Sequence, residues 1–233
     1  MPFAANVVIE AILPPLPDSL SHAGMRYAVD AGQLAQLKAG GIILPDSLAN
    51  AVLKRQVEFA AGRFCARQAL QKLGYGGVAT LPVGQHRAPV WPDGYLGSIS
   101  HGDGQAMAVA ARNQEWRALG IDIETLLSNE AAQPLVEHLM TAAELAIGVA
   151  AGITLERWLS LVFSAKESLF KALYPFVGRY FDFLDAEVCE LDEPQAGLML
   201  RLVSTLSSQC VKGSEYCIRY CYSTNNVATL CLF

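Results

Sequence analysis

Helix followed by strands occurs twice along the chain, once on each side of about Arg117, and this order narrows the folds open to it. The segment PDSLANAVLKRQVEFAAGRFCARQALQKLGYGG begins with Pro and Asp/Ser and ends in a Gly cluster after Leu73, which brackets one long helix. In the stretch GQHRAPVWPDGYLGS that follows, Pro89 and Pro92 forbid a long regular element and predict a loop. GSISH, QAMAVAAR and EWRALGIDIE read as short strands, with Arg112 to Glu115 as a hairpin turn. Two helices are expected next, around Gln133 to Ala151 and Leu155 to Tyr174. Four strands follow near Asp185 to Leu191, Gly197 to Ser204, Glu215 to Ser223 and Val227 to Leu232, with Asn225 and Asn226 suiting the last turn. Ahead of Leu44 only an early strand around Asn6 to Leu13 is legible. The expectation is an α+β protein of two halves packed together, residues 1–117 and 118–233.

Composition supports a compact chain and removes several classes of function. Hydrophobic residues make up 52% and charged residues 17% of the 233, which excludes global disorder. The net charge of −5 speaks against nucleic acid as a partner, so any anion site must be a local basic cluster. The longest charge-free runs, Leu73 to His86 and Tyr220 to Phe233, carry Gly or Ser/Asn and do not read as membrane spans. No Lys or Arg precedes the apolar residues of MPFAANVVIEAILPPLP, so a secretory signal is not expected and the protein reads as cytoplasmic. The six cysteines include no CxxC pair; they read as reduced, mostly buried residues, and Cys217 and Cys221 have no His nearby to complete a metal site.

The stretch FSAKESLFKAL places two lysines and a glutamate in an otherwise apolar helix. At about 100° per residue, Glu167 and Lys171 are i,i+4 neighbours on one arc. Lys166 falls near the centre of the apolar arc, where its ammonium must snorkel, pair, or meet an anion. In GIDIE, Asp122 and Glu124 stand at i and i+2 on a strand and so face the same way, roughly 7 Å apart at the backbone. Such a pair is relieved by water, by a base, or by a hard divalent cation. Lys54, Arg55, Arg63 and Arg67 lie on the first long helix; a solvated helix face and a phosphate-binding face both fit them. His86 and Arg87 in the Pro-rich loop and Ser100-His101 at a strand end add phosphate-binding donors, and the turn in SISHGDG offers backbone N–H groups to an anion. There is no GxxxxGK[ST] segment. Together these residues favour Mg²⁺-assisted chemistry on a phosphorylated substrate.

The ordered set KRQVEFAAGRFCARQAL, HRAPVWPDGYLGSISH, GIDIE and FSAKESLFKAL resembles the 4′-phosphopantetheinyl transferase superfamily, in its monomeric branch. The resemblance covers about Lys54 to Tyr180. It implies two similar α+β halves related by a pseudo-two-fold, with coenzyme A and Mg²⁺ in the cleft between them. It also implies transfer of the phosphopantetheine arm of coenzyme A to a serine of an apo carrier protein, releasing adenosine 3′,5′-bisphosphate. The carrier would belong to a nonribosomal peptide, polyketide or fatty-acid synthase.

Carried over by position, the resemblance implies Asp122, Glu124 and Glu167 as Mg²⁺ ligands and Lys171 as a contact to the diphosphate, with Glu167, Lys171 and Asp122 as the catalytic set. Arg87, Ser100 and His101 would reach the phosphates, Arg55 with Lys54 or Arg63 would hold the 3′-phosphate, and Lys166 would neutralise charge behind the metal. The proton of the attacking serine would go to Glu167, directly or through water, or to a water on the metal. Two other readings share these residues: another Mg²⁺-dependent nucleotidyl or phosphoryl transferase, and a non-catalytic coenzyme A-binding subunit.

Overall fold

The computed structural model describes residues 13–77 and 81–233, so the strand expected around Asn6 to Leu13 lies outside the described residues except for Leu13, which is not in a strand. The chain divides into two compact units, one containing Leu16–Arg117 and the other Ala118–Phe233 together with Pro14 and Pro15. Each unit holds one antiparallel sheet and its own helices, which makes the protein α+β.

In the first unit, strand β1 (Ser21–Arg26) and helix α1 (Ala31–Ala39) precede α2 (Leu53–Lys72), β2 (Tyr95–Gly102) and β3 (Gln105–Arg112). The sheet order is β1-β3-β2. Strands β2 and β3 form a hairpin whose turn places Asp103 and Gly104 at φ 47° and 70°. Helix α2 buries Val57, Ala60, Ala61, Cys65, Ala66, Ala69 and Leu70 in a core shared with Ala106, Ala108 and Ala110 of β3. Small residues allow helix and sheet to approach closely. A β-carbon on Gly62 would stand 2.8 Å from Ile99 Cγ2 on β2. The Pro/Asp/Ser start expected for α2 instead forms a separate 3₁₀ turn, Asp46–Leu48, and Gln56 Nε2 of the helix donates back to Ala49 O, which closes that turn, at 3.3 Å.

In the second unit, β4 (Leu119–Thr125) leads to α3 (Asn129–Ala132), α4 (Val136–Leu139), α5 (Ala142–Ala150) and α6 (Leu155–Val177). Strands β5 (Ala186–Asp192), β6 (Gly197–Leu202), β7 (Glu215–Tyr222) and β8 (Asn226–Leu232) complete the unit. The sheet order is β4-β8-β7-β6-β5. The single helix expected over Gln133 to Ala151 is broken, because Thr141 and Glu144 form a capping box that starts α5 afresh. The turn at Arg112–Glu115 is present, with Glu115 N donating to Arg112 O at 3.2 Å, but it joins no hairpin, since β3 and β4 belong to different sheets.

Helix α6 is the centre of this unit. Trp158, Leu159, Leu161, Val162, Ala165, Leu169, Ala172 and Leu173 share a core with Val188, Leu198, Leu200, Leu202 and Ile218 from the sheet. Gly178, in the left-handed conformation at φ 70°, ends the helix. A β-carbon on Gly148 of α5 would lie 2.4 Å from the Trp158 ring, so the two helices touch there without an intervening side chain.

Candidate functional site

The carboxylates singled out in GIDIE and FSAKESLFKAL are brought into one electrostatic cluster by the packing of α6 on β4. Gly120 permits it: an added β-carbon would stand 1.9 Å from Ser168 O and 2.8 Å from Ala172 N. One strand over, Thr229 of β8 is the register partner of Asp122. Thr229 Oγ1 donates to Ser164 O at 2.8 Å, and the Ser164 and Ser168 hydroxyls approach the same oxygen at 2.9 and 2.5 Å. All three hydroxyl residues are fully buried, so these bonds fix how α6 seats on the sheet.

The result places Lys171 Nζ 2.6 Å from Asp122 Oδ1 and 3.1 Å from Ile121 O. Asp122 is buried, whereas Glu124, Glu167 and Lys171 are half-buried. Burial, then the charge of Asp122, raises the Glu124 carboxyl to about 7; Lys171 acts in the opposite direction and Glu167 adds to the rise. Burial also raises Glu167, with Lys171 opposing and Asp122 adding. Three carboxylates thus repel one another around one ammonium. Their oxygens are the donors a small hard cation prefers, and its charge would relieve the repulsion. Among the described residues, however, no three His, Cys, Asp or Glu side chains converge closely enough to hold a metal as they stand. The donor chemistry fits Mg²⁺, and closing on an ion requires side-chain rotation.

Lys166 lies elsewhere. Its ammonium meets Glu144 Oε1 at 2.8 Å and donates to Leu139 O at 2.7 Å, with both side chains almost wholly buried. The charges that act on it are those of Glu144, Glu187 and Asp182. Of the three outcomes open to this lysine from sequence, the structure shows pairing. Sequence reasoning missed Glu144 as the partner, although TAAE carries the spacing of a capping box. Phe170, Tyr180, Phe181 and Phe183 line a cavity of about 280 Å³ that Lys166 and Glu167 also border. The Phe170 and Tyr180 rings stack, 5.6 Å apart and 11° from parallel.

The basic constellation lies in the first unit. Arg55, Arg63, Arg87 and His101 line one pocket of about 410 Å³, with Glu58, Phe59 and Ile99. Arg55 Nη1 is 3.2 Å from His101 Nε2. A guanidinium can only donate, so Nε2 accepts and the ring proton sits on Nδ1, 4.0 Å from Glu58 Oε2. Arg63 is the buried member: its Nε donates to Leu81 O at 2.9 Å, and its guanidinium lies over Phe59. Burial, then Arg55, lowers its pKa to about 10, which leaves it charged near neutrality. Arg87 is exposed at the tip of a tight loop closed by Gly84 N donating to Ala88 O at 2.8 Å. His86 and Arg87 both have positive φ, 49° and 67°, a conformation uncommon in residues with a side chain and worth notice in a loop that lines a pocket.

Two residues of this set are placed differently. Ser100 is buried on the face of β2 opposite His101, because neighbours on a strand alternate, and it is not among the pocket-lining residues. Lys54 is exposed and pairs with Glu58 at 3.9 Å. The turn in SISHGDG serves as the β2–β3 hairpin turn, with Gly104 O accepting from Tyr27 N at 2.8 Å.

Comparison with known proteins bears on the same residues. Residues 44–111 match the family model of the 4′-phosphopantetheinyl transferase N-terminal domain, and residues 118–221 match that of the 4′-phosphopantetheinyl transferase superfamily. The chain is similar to 4′-phosphopantetheinyl transferase Svp of Streptomyces mobaraensis, 42% identical over 150 residues, which is 64% of this chain and 60% of that protein. It is 42% identical to enterobactin synthase component D of Escherichia coli K12 over 125 residues, 54% of this chain and 58% of the relative. To 4′-phosphopantetheinyl transferase PptT of Mycobacterium tuberculosis it is 35% identical over 145 residues, 60% and 61% of the two chains. The chain therefore spans about three-fifths of the length of the curated relatives it matches. With one family model matched within each sheet-bearing unit, together over most of the chain, and relatives of one kind at about 40% identity, the chain belongs to the 4′-phosphopantetheinyl transferase superfamily, on the branch that includes enterobactin synthase component D.

Proposed function

We propose that this protein transfers the 4′-phosphopantetheine arm of coenzyme A to a serine of an apo carrier protein. The observation that carries the reading is the cluster of Asp122, Glu124, Glu167 and Lys171, which Gly120 allows to form, in a chain of this family. The carrier serine oxygen attacks the β-phosphorus of coenzyme A. The new bond is serine O–P; the bond broken joins that phosphorus to the bridging oxygen, which leaves on adenosine 3′,5′-bisphosphate.

Asp122, Glu124 and Glu167 would hold Mg²⁺. When bound, the ion supplies Lewis-acid stabilisation of charge on the phosphoryl oxygens. Lys171, fixed by Asp122 and Ile121 O, points its ammonium at the diphosphate and offsets charge developing on the leaving group. Glu167 takes the serine proton, directly or through water. Arg55, Arg63, Arg87 and His101 bind phosphate oxygens of coenzyme A, with Arg55 toward the 3′-phosphate. The aromatic cavity beside Glu167 presents an apolar wall to an uncharged part of the substrates. We assign no coenzyme A contact to Lys166, whose ammonium is spent on Glu144, and none to Ser100.

The favoured carriers are those of nonribosomal peptide synthesis, including siderophore assembly, since relatives on this branch are named enterobactin synthase component D. The protein is read as a monomer acting in the cytoplasm; among the described residues no helix is long and apolar enough to cross a membrane. The test is intact-mass spectrometry of an apo peptidyl carrier domain and an apo fatty-acid carrier, each incubated with this protein, coenzyme A and Mg²⁺, with and without EDTA. A gain of one phosphopantetheine that EDTA abolishes is expected, larger on the peptidyl carrier. Coenzyme A binding without any mass gain would favour the non-catalytic subunit instead.

A further inference from the structure

The Glu144–Lys166 pair joins more of the second unit than any helix-surface pair could. Glu144 Oε2 accepts from Thr141 N at 2.7 Å, and Oε1 accepts from Val188 N at 2.9 Å and meets Lys166 Nζ at 2.8 Å. Its backbone carbonyl accepts from Trp158 Nε1 at 2.9 Å. Lys166 in turn reaches Leu139 O. One carboxylate thereby ties the start of α5, strand β5 and the middle of α6.

Energy of folding is a poor reason for this arrangement. Taking two charges out of water costs about as much as their attraction returns, and apolar pairs of similar volume commonly replace buried ion pairs without loss of stability. In some proteins a buried polar or ionic group instead selects one geometry over near alternatives. The geometry at stake is the roll of α6. Lys166 directly precedes Glu167, so pinning one side chain sets the direction of the other, about 100° around the helix. The contact at Gly120 and Ser168 sets how near α6 lies to β4, and the Thr229 bonds to Ser164 and Ser168 hold its side toward β8; the Glu144–Lys166 pair adds a directed restraint from α5 and β5.

We propose that Glu144 is a positioning residue, which through Lys166 fixes the rotation of α6 that sets the Glu167 carboxylate beside Asp122 and Lys171. Its consequence for turnover rests on the function proposed above, but its geometric content does not.

The test is the charge-free variant Glu144→Gln/Lys166→Met, in which the glutamine can still accept from Thr141 N or Val188 N. Crystal structures of wild type and variant read the Glu167 position, Mn²⁺ titration followed by electron paramagnetic resonance reads the carboxylate cluster, and steady-state kinetics reads kcat and KM. The expected result is a folded protein with a cooperative melt, a displaced Glu167 carboxylate and weaker Mn²⁺ binding. Its kcat falls about 10- to 100-fold, as misplacement by about 1 Å does, with little change in KM for coenzyme A. A folded variant whose Glu167, Mn²⁺ affinity and kcat all match wild type overturns the proposal. Should the double variant not fold, Glu144→Asp keeps the charge while shortening the reach, and the same shifts are expected of it; wild-type values in that variant overturn the proposal equally. If wild type transfers nothing to any carrier, the proposed function fails, while the crystallographic comparison still decides the positioning role.

Discussion

A β-carbon on Gly120 would lie 1.9 Å from the carbonyl oxygen of Ser168. The glycine of GIDIE thus permits the backbone contact on which the site depends. The next nearest atom is Ala172 N, one turn along the same helix and also backbone, so no flexible side chain can yield. Gly120→Ala should destabilise the protein by at least about 3 kcal/mol, the upper range for overpacking, and lower Tm by about 6 °C or more. Thermal denaturation checks this; an unchanged Tm would show that α6 can lift from β4 without cost.

Beneath the carboxylates, the Thr229 hydroxyl serves Ser164 O and both serine hydroxyls in a fully buried setting. Thr229→Val preserves shape and strands those partners. A loss of about 1–3 kcal/mol is expected in urea unfolding, which is the usual cost of an unsatisfied buried polar group. Turnover should also drop, because the seating of α6 loosens.

Glu167→Gln keeps the volume of the side chain and removes its charge. If this residue holds the cation and takes the serine proton, kcat should fall at least about 100-fold, at the low end for loss of a general base. Coenzyme A affinity, measured by calorimetry, should change little. Equal losses in both would assign Glu167 to substrate binding rather than to chemistry.

The first-unit pocket predicts the opposite pattern. Arg55→Ala should raise KM for coenzyme A about 10-fold while leaving kcat nearly intact, as expected when uniform binding is removed. Dephospho-coenzyme A supplies the control. Wild type should prefer coenzyme A, and the variant should lose most of that preference if Arg55 holds the 3′-phosphate.

The carboxylate cluster carries a pH signature. Glu124 has a pKa of about 7 in the metal-free fold, well above its ordinary value near 4.3 in an unfolded chain. An acid whose pKa rises on folding binds more protons when folded, so its favourable contribution is complete below the unfolded pKa and is lost as pH rises through about 7. Metal-free protein should therefore gain stability between pH 8 and pH 5 from this group. Glu124→Gln should raise Tm at pH 8 in EDTA and flatten that dependence. Mn²⁺ affinity should fall as pH drops below about 7, since the cation competes with protons for the same oxygens. Melting curves and metal titrations at pH 5, 6, 7 and 8 check each point.

Much of the site was legible because its spacing lies within single elements. Asp122 and Glu124 share a strand face by the two-residue period, and Glu167 and Lys171 share a helix face by the four-residue one. The same alternation shows that Ser100 and His101 point to opposite faces, a consequence that the phosphate-binding reading of both residues passed over. Lys166 was legible as an anomaly without an answer, since Glu144 belongs to another helix. The turn at Arg112–Glu115 was visible too, but nothing in alternating residues says that β3 and β4 will pair with different partners.

The α+β class, the family motifs and most of the element order after Leu53 were determined by sequence alone, because periodicity, capping and motif spacing act between near neighbours in the chain; β1 (Ser21–Arg26), α1 (Ala31–Ala39) and the breaks between α3, α4 and α5 were not. Tertiary structure decided which charges meet. It set Lys171 on Asp122, Lys166 on Glu144 and Arg55 on His101. Those choices follow from which surfaces can be buried together, and the absence of a side chain at Gly120 and Gly62 matters only once a second element arrives within van der Waals distance.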